Sequence, residues 1–325
     1  MHEEKIVIGT ETKYPLNGIL SIPTQTGGLF PAVVLVHGSG PLNMDEKIGN
    51  NYPFKDLAEG LSKKGIAVLR HDKRTYIYGK EMRDRPELSV KEEVIEDAIL
   101  ASALLRKDSR IDSERIFIIG HSMGGMLSPR IDAEGGNYTG LIIMGGSTRK
   151  LEDVIIEQNN EVLKSLNRFL QVIAGKQIAK LSFKLENIYN MSDEEAKSAL
   201  VLGKYGRAYY FKEMGEHPLA DYLSPLNKPM LILQGDKDFH VSIEKDFNQY
   251  KELLKEKQNV TFKLYHNLNH LFMPFIYGKI QKARNEYKVA QHIDEQVIND
   301  ISDWILSLAG SGKQFIAAFL FAAYN

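Results

Sequence analysis

The sequence predicts an α/β protein whose sheet is mostly parallel. Short β-rich runs alternate along the chain with longer segments whose apolar residues recur at helical spacing. Two of the short runs, PAVVLV at 31–36 and IFIIG at 116–120, are almost continuously apolar, which is typical of strands buried on both faces of a sheet. The chain has 325 residues, so it has room for one large domain or two.

The composition excludes several classes of protein. Apolar residues make up 43% and charged residues 26% of the chain, as in an ordinary globular protein. Lys plus Arg total 41 and Asp plus Glu total 42, so nothing in the charge favours nucleic acid or an anionic membrane as a partner. There is no cysteine, which excludes disulfides and thiolate nucleophiles. The acidic N-terminus lacks an apolar signal region, so we expect a cytoplasmic protein.

The elements can be assigned in chain order. The runs KIVIGTE and NGILSIP are predicted to form a meander that opens the sheet. Further strands are predicted in FPAVVLV, GIAVLRH, RIFIIG, GLIIM, PMLIL and VTFKLYH. Helices are predicted at 53–64, 90–107 and 295–308, where apolar residues fall on one stripe. A further helix is predicted directly after the RIFIIG strand.

The alternation stops between Gly146 and Pro225. This stretch is polar, contains several aromatic residues and has no strand-like run. A structureless loop of this length is improbable in a compact domain, so we predict a helical cap at 147–224. The cap would interrupt an α/β core formed by 1–146 and 225–310.

The last fifteen positions, 311–325, carry an apolar run after a GSGK spacer. The run is shorter than the roughly 17 to 25 residues that a membrane-spanning helix needs, so we expect no membrane span. We interpret this tail as a fusion remnant outside the core. A natural oligomerisation helix and a surface anchor are the alternatives, and a homo-oligomer stays open.

The segment Gly120–Gly124, GHSMG, has the G-x-S-x-G pattern. It directly follows an apolar strand and precedes a helix-compatible stretch, as a nucleophile elbow requires. The serine of such a turn has a strained backbone, and the flanking glycines let neighbouring backbone approach it. Ser122 is therefore the candidate nucleophile, and the N–H of Met123 is a candidate donor to an oxyanion.

A serine nucleophile needs a base and an orienting acid, and both follow in the order Ser, Asp, His. The strand MLILQ ends at a turn that contains Asp236 and Asp238. Asp238 is favoured, because Asp236 stands next to the glycine and is expected to cap the turn. His270 lies in a loop beyond the last strand and is the candidate base, whereas His266 at the strand end is expected to be solvated or packed.

The HGSGP loop after the third predicted strand is the candidate source of a second oxyanion donor. The N–H of Ser39 is favoured, with that of Gly40 next. Gly38, Gly40 and His240 are expected to line the substrate pocket. The sequence has no HExxH metal motif and no phosphate-binding loop after a strand, so we expect neither a metal nor a cofactor.

Five motifs together, HGSGP, RHDKRTYIYG, GHSMGG, LILQGDKDFHV and LNHLF, resemble the α/β-hydrolase superfamily. In particular they resemble the bacterial EstD-type carboxylesterases, which are also described as serine-aminopeptidase-like hydrolases. The resemblance runs from about residue 31 to residue 308. It implies that the core has the α/β-hydrolase fold, with an eight-stranded, mostly parallel sheet flanked by helices and an inserted helical cap.

The resemblance also implies a function. It assigns a catalytic triad to Ser122, Asp238 and His270, and oxyanion amides to Ser39 and Met123. The expected activity is hydrolysis of short- to medium-chain carboxylic esters, with a small-molecule ester as the partner. A thioesterase, a peptidase, and a deacetylase or feruloyl-type esterase are alternatives on the same scaffold. A non-catalytic binding protein is the alternative from another class.

Overall fold

The computed structural model describes the chain except for residues 26–27, 203–205 and 323–325, and it describes no side chains from 309 onward. The described strands are β1 (His2–Ile8), β2 (Leu16–Ile22), β3 (Phe30–Val36), β4 (Ala67–His71), β5 (Ile111–His121), β6 (Gly140–Met144), β7 (Leu200–Leu202), β8 (Gly206–Arg207), β9 (Met230–Gly235) and β10 (Val260–Tyr265).

Eight of these strands form one sheet in the order β1-β2-β4-β3-β5-β6-β9-β10. Strands β1 and β2 pair antiparallel, and β2 also runs antiparallel to β4. All the remaining pairs are parallel. The prediction of a mostly parallel, eight-stranded sheet is therefore confirmed. In such a sheet the carboxyl ends of the parallel strands lie along one edge, which is where loops can form a site.

Helices cover both faces of the sheet. The described helices are α1 (Pro53–Lys63), α2 (Arg74–Ile77), α3 (Gly79–Asp84), α4 (Glu96–Lys107), α5 (Met123–Ile131), α6 (Leu151–Leu163), α7 (Arg168–Glu186), α8 (Asp193–Ser198), α9 (Ala208–Gly215), α10 (Leu219–Leu223), α11 (Asn248–Leu253), α12 (Ala283–Glu286) and α13 (Glu295–Ala322). A π-helical turn, Lys91–Ile95, precedes α4 within the helix predicted at 90–107.

The two faces of the sheet bury two separate apolar cores. Alternate residues of β3 point to opposite sides, so that Val34 packs with α4 and α5 whereas Val33 packs with α1 and α13. Val297 and Ile301 of α13 are fully buried, as the helical stripe predicted. The central strands are thus held on both faces, which fixes the positions of their carboxyl ends.

The segment between β6 and β9 contains helices α6 to α10 and has a small apolar core of its own. Its predicted helical character is confirmed for most of its length, but the expectation that it holds no strand is wrong. Strands β7 and β8 pair antiparallel within it. The three residues Leu200–Leu202 are too few to show the alternation by which a strand is detected in a sequence. We refer to residues 151–223 as the insert.

No helix in the described part of the chain is long and apolar enough to cross a membrane. The backbone of α13 extends past the predicted end at Leu308. The prediction that 311–325 forms a tail outside the core falls on residues whose side chains lie outside the described part of the chain.

The start of α5 lies directly against the end of β3. A Cβ atom built on Gly124 would lie 2.2 Å from the carbonyl oxygen of Val36, and one built on Gly120 would lie 2.3 Å from the carbonyl oxygen of Gly124. No side chain fits at these distances. The glycines of the G-x-S-x-G segment are thus required by contact with neighbouring backbone.

We predict that Gly124→Ala lowers the free energy of unfolding by about 3 kcal/mol, because the methyl group would force the α5 and β3 backbones apart. The measurement is urea unfolding followed by circular dichroism. Gly175→Ala is the control, since its Cβ would meet nothing closer than 3.7 Å in the interior of α7. Alanine there should leave stability unchanged or raise it by roughly 0.5–1 kcal/mol. Equal stability of the Gly124→Ala variant and the unmodified protein would refute the proposed contact.

Candidate active site

Three of the predicted site residues lie at the carboxyl ends of neighbouring parallel strands. Ser122 directly follows β5, Asp238 is in the turn after β9, and His270 is in the loop after β10. These strands lie in the order β5-β6-β9-β10, so the three loops meet at one edge of the sheet. The structure therefore brings these residues together from positions far apart in the sequence.

The backbone of Ser122 is in an unusual conformation, with φ of 52° and ψ of −117°. A non-glycine residue with positive φ costs about 1–3 kcal/mol and persists only where its surroundings impose it. Here the N–H of Ser122 donates to the carbonyl of Met144 at 2.8 Å, and the N–H of Met126 donates to the carbonyl of Ser122 at 3.1 Å. The turn places the serine side chain between strand and helix, where it is partly exposed to a cavity.

Asp238 and His270 form a buried hydrogen-bonded pair. Asp238 Oδ2 lies 2.7 Å from His270 Nδ1 and accepts a second hydrogen bond from Gln234 Nε2 at 2.8 Å. The backbone N–H groups of His240 and Val241 donate to Oδ1 at 2.7 and 3.0 Å. Burial alone would raise the pKa of Asp238, but the charge and hydrogen bond of His270 outweigh it, so the pKa lies below its usual value.

The rival candidates also pair with each other, but at the surface. Asp236 Oδ2 lies 2.6 Å from His266 Nδ1, and Asp236 Oδ1 accepts from the N–H of Asn267 at 2.7 Å. The side chain of His266 is 78% exposed, compared with 8% for His270. Asp236 therefore fixes the turn after β10, whereas Asp238 fixes a histidine at the edge of the cavity.

A cavity of about 860 Å³ lies over this edge of the sheet. His270 lines this cavity, whereas Asp238 lies behind His270 and does not line the cavity. Within the described residues, no hydrogen bond joins the Ser122 hydroxyl to His270, whose Nδ1 contacts Asp238. The predicted residues that line the cavity are Gly38, Ser39, Gly40, Ser122, Met123, His240 and His270.

Two backbone N–H groups border the cavity beside Ser122. These are the amides of Ser39, in an exposed loop, and Met123, at the first position of α5. Neither amide has a hydrogen-bond acceptor among the described residues. Unpaired donors at a helix start and in a glycine-containing loop can bind an oxygen atom that carries negative charge. Gly40 has φ of 91°, which lets the chain turn away directly after Ser39.

His240 is packed against the pair. Its ring lies 4.8 Å from that of His270 and is nearly parallel to the ring of Tyr287. Burial and the charge of His270 lower the pKa of His240 to about 3, so its ring is neutral near pH 7. It forms part of the cavity wall and does not compete with His270 for a proton.

Sequence reasoning missed a buried ion pair beneath the cavity. Glu46 is fully buried, and its Oε1 accepts from the N–H of Gly38 at 2.8 Å. Its Oε2 lies 3.0 Å from Nδ1 of His121, in an ion pair whose angles fall short of a hydrogen bond. His121 Nε2 lies 3.0 Å from the carbonyl oxygen of His270. Burial opposes protonation of His121, but the Glu46 carboxylate reverses this effect and raises the pKa of His121 above its usual value.

A second buried cation holds the same loop from the other side. Lys73 Nζ donates to the carbonyl of Gly38 at 2.9 Å and lies 3.1 Å from Glu93 Oε1. Glu93 also accepts hydrogen bonds from Thr75 and Tyr210. Both polar groups of the Gly38 residue are therefore tied to buried charged side chains. His121 lies within the G-x-S-x-G segment, but the sequence shows no signal that pairs it with Glu46.

The insert forms one wall of the cavity. Leu151, Val154, Ile155 and Phe211 give this wall an apolar surface. The hydroxyl of Tyr210 lies 3.6 Å from Sδ of Met123, which joins helix α9 of the insert to the start of α5. In the described part of the chain, no group of three or more His, Asp or Glu side chains could hold a metal ion.

Comparisons with known proteins agree with this architecture. The family model described as serine aminopeptidase, S33, matches residues 31–274. Esterase EstD from Thermotoga maritima is 39% identical over 291 residues, which cover 90% of this chain and 65% of the relative. The chain thus spans less than two thirds of the length of that relative.

Solved structures show the same fold at low sequence identity. Est1E from Butyrivibrio proteoclasticus matches with a TM-score of 0.58 and 15% identity, over 93% of this chain and 98% of that chain. The Pyrococcus furiosus esterase Pf2001 matches with a TM-score of 0.55 and 15% identity, over 94% and 91%. The α/β-hydrolase fold and the resemblance predicted from the motifs are confirmed, and the chain belongs to the serine aminopeptidase (S33) family.

Proposed function

We propose that the protein is a serine carboxylesterase that hydrolyses short- to medium-chain carboxylic esters. The observation that carries this proposal is the buried 2.7 Å contact between Asp238 and His270, in a loop that lines the same cavity as the strained Ser122. The 39% identity to esterase EstD favours an ester over an amide or a thioester. Location in the cytoplasm stays a prediction from the sequence.

In the proposed mechanism, His270 removes the hydroxyl proton of Ser122 as its oxygen attacks the ester carbonyl. The carbonyl oxygen then becomes an oxyanion beside the free amides of Ser39 and Met123. Each such donor lowers the barrier by about 3 kcal/mol, because it is aimed at charge that develops only in the transition state. The tetrahedral intermediate collapses when His270 protonates the leaving alcohol.

The acyl-enzyme is hydrolysed by the same groups. His270 takes a proton from water, the resulting hydroxide attacks the acyl carbonyl, and His270 returns the proton to Ser122. Asp238 holds the imidazole with Nδ1 as the donor and stabilises the imidazolium that forms in each half of the cycle. Its lowered pKa keeps it ionised across the pH range in which histidine titrates.

We further propose that residues 147–224 act as a cap on the core and form the acyl pocket. Apolar side chains of the insert line the cavity, and Tyr210 contacts Met123 next to the nucleophile. Apolar walls stabilise an acyl chain by about 0.8 kcal/mol for each buried methylene. This gain ends once the chain is longer than the cavity, which favours short to medium chains.

We predict that hydrolysis of p-nitrophenyl esters, tested from acetyl to palmitoyl, peaks at short to medium acyl chains. Ser122→Ala should lower kcat at least about 10³-fold, because alanine has no hydroxyl with which to form the acyl-enzyme. Initial rates followed by p-nitrophenolate absorbance give both results. A flat profile across the series would contradict the acyl pocket. Absence of labelling of Ser122 by a fluorophosphonate would favour a non-catalytic binding protein.

We predict that Asp238→Asn lowers kcat by roughly 10³- to 10⁴-fold with little change in KM, since the amide cannot hold His270 in the productive tautomer. Asp236→Asn is the matched control, because it alters the other Asp–His pair on the surface of the same turn. Its kcat should stay within about twofold of that of the unmodified protein. The assignment of Asp238 fails if the two variants lose activity equally.

We predict that Glu46→Gln lowers kcat more than it changes KM, because it loosens the Gly38 loop and the His270 carbonyl together.

The raised pKa of His121 means that its ion pair with Glu46 stabilises the fold fully below the unfolded pKa of about 6.5. This contribution is lost as the pH rises through the higher folded value. The difference in melting temperature between the unmodified protein and Glu46→Gln should therefore be larger at pH 6 than at pH 9.

The exposed variant Glu256→Gln serves as the control for this comparison, because the Glu256 side chain lies at the surface. It should show no pH-dependent difference from the unmodified protein. A difference for Glu46→Gln that is constant with pH would mean that His121 is not protonated by its contact with Glu46.

A further inference from the structure

Among the described residues, the cavity contains a cation with no anion to balance it. Arg207 lies in β8 of the insert and lines the same cavity as Ser122. Its Nη1 donates to the carbonyl of Lys197 at 3.0 Å. In the described part of the chain its buried Nε has no hydrogen-bond partner, and no ion pair joins its guanidinium to a carboxylate. The residues 203–205 between the two strands of the insert include no acid.

The acids of the cavity are already matched by cations of the core. Glu46 pairs with His121 and Glu93 pairs with Lys73. Arg85, which also lines the cavity, pairs with Glu87. Neither of these cavity acids pairs with Arg207, and no other carboxylate of the described residues forms an ion pair with it. A buried N–H donor such as this Nε is costly unless a bound group supplies an acceptor for it.

We propose that Arg207 binds a carboxylate of the substrate, so that the preferred ester carries a negative charge at one end. This inference rests on the proposed function, because it specifies the substrate class of the same site. A carboxylate brings a single negative charge, which balances one guanidinium, and its two oxygens can accept from adjacent N–H groups of the planar fork. The apolar walls between Arg207 and Ser122 would hold the methylenes that separate the carboxylate from the ester.

The position of Arg207 supports a role in selection of the substrate. It immediately precedes α9, the helix whose Tyr210 contacts Met123. Arg207 and Tyr210 are three residues apart, and both line the cavity that contains Ser122. The groups proposed for bond cleavage come from the core, so Arg207 can act on binding without touching the reacting atoms.

The test compares three esters of matched size. Ethyl hexanoate is the neutral reference, monoethyl adipate carries the carboxylate on the acyl side, and the hexanoyl ester of glycolic acid carries it on the alcohol side. Arg207→Gln should raise KM about 10-fold or more for one of the two anionic esters, because a charge-assisted pair is lost. The KM for ethyl hexanoate should stay within about twofold. The anionic ester that is affected identifies the side of the bond that faces Arg207.

Two further variants serve as comparisons for Arg207→Gln. Arg168→Gln removes an exposed arginine of the insert and should leave all three KM values unchanged. Arg207→Lys keeps the charge but not the planar fork, so its KM for the anionic ester should lie between those of the unmodified protein and Arg207→Gln. The same KM should rise with added NaCl in the unmodified protein. Equal changes of KM for the neutral and the anionic esters in Arg207→Gln would overturn the proposal.

A binding measurement separates this proposal from the proposed esterase activity. If the unmodified protein hydrolyses none of the three esters, the esterase proposal fails, and calorimetric titration with monoethyl adipate still tests Arg207. Binding that is lost in Arg207→Gln would support the carboxylate site. Equal binding to both proteins, or binding to neither, would overturn it.

Discussion

The geometry of the cavity depends on the close approach of helix α5 to strand β3. A Cβ atom on Gly124 would lie only 2.2 Å from the carbonyl oxygen of Val36, so the two backbones meet without any intervening side chain. This contact brings the first amides of α5 next to the loop that follows β3, so that Met123 and Ser39 border the same space. The strained backbone of Ser122 is the consequence, because the chain must reverse within one residue between strand and helix. The sheet, packed on both faces, supplies the rigidity that holds such strain.

Buried charged side chains hold the loops that follow the strands at this edge of the sheet. Glu46 contacts the N–H of Gly38 and the ring of His121, and His121 in turn contacts the carbonyl of His270. One ion pair thereby connects the candidate oxyanion loop, the serine turn and the histidine loop. Buried pairs of this kind contribute little net stability, because desolvation of both charges offsets their attraction. Their effect is to fix the positions of loops. Removal of either partner leaves an uncompensated charge beneath three loops, and the proposed catalytic groups on these loops need to be placed within about 0.5 Å.

The features that the sequence predicted are those encoded within short stretches of chain. Continuous apolar runs predicted the buried strands, and the strand-turn-helix context indicated Ser122 as the candidate nucleophile. Asp238 was preferred to Asp236 from its place in the turn, and the two carboxylates indeed have different partners. Glu46 and Arg207 could not be found in this way, because their significance comes from contacts between residues distant in sequence. Strand β7 escaped detection for a different reason: three residues are too short for a periodic pattern to appear.

The candidate catalytic residues lie in the core, whereas much of the cavity wall comes from the insert. This difference explains why the former could be predicted from the sequence and Arg207 could not. Chemistry in this fold depends on a few backbone turns at fixed positions along the sheet edge, and such turns leave local sequence signatures. The proposed binding of substrate depends on side chains of the insert, which line the cavity only after its helices have packed on one another and on α5. Arg207 illustrates the point, because its buried Nε without a partner becomes visible only in the packed structure beside the cavity. Under the proposed function, the core would retain one mechanism at Ser122 while changes in the insert would alter the ester that is bound.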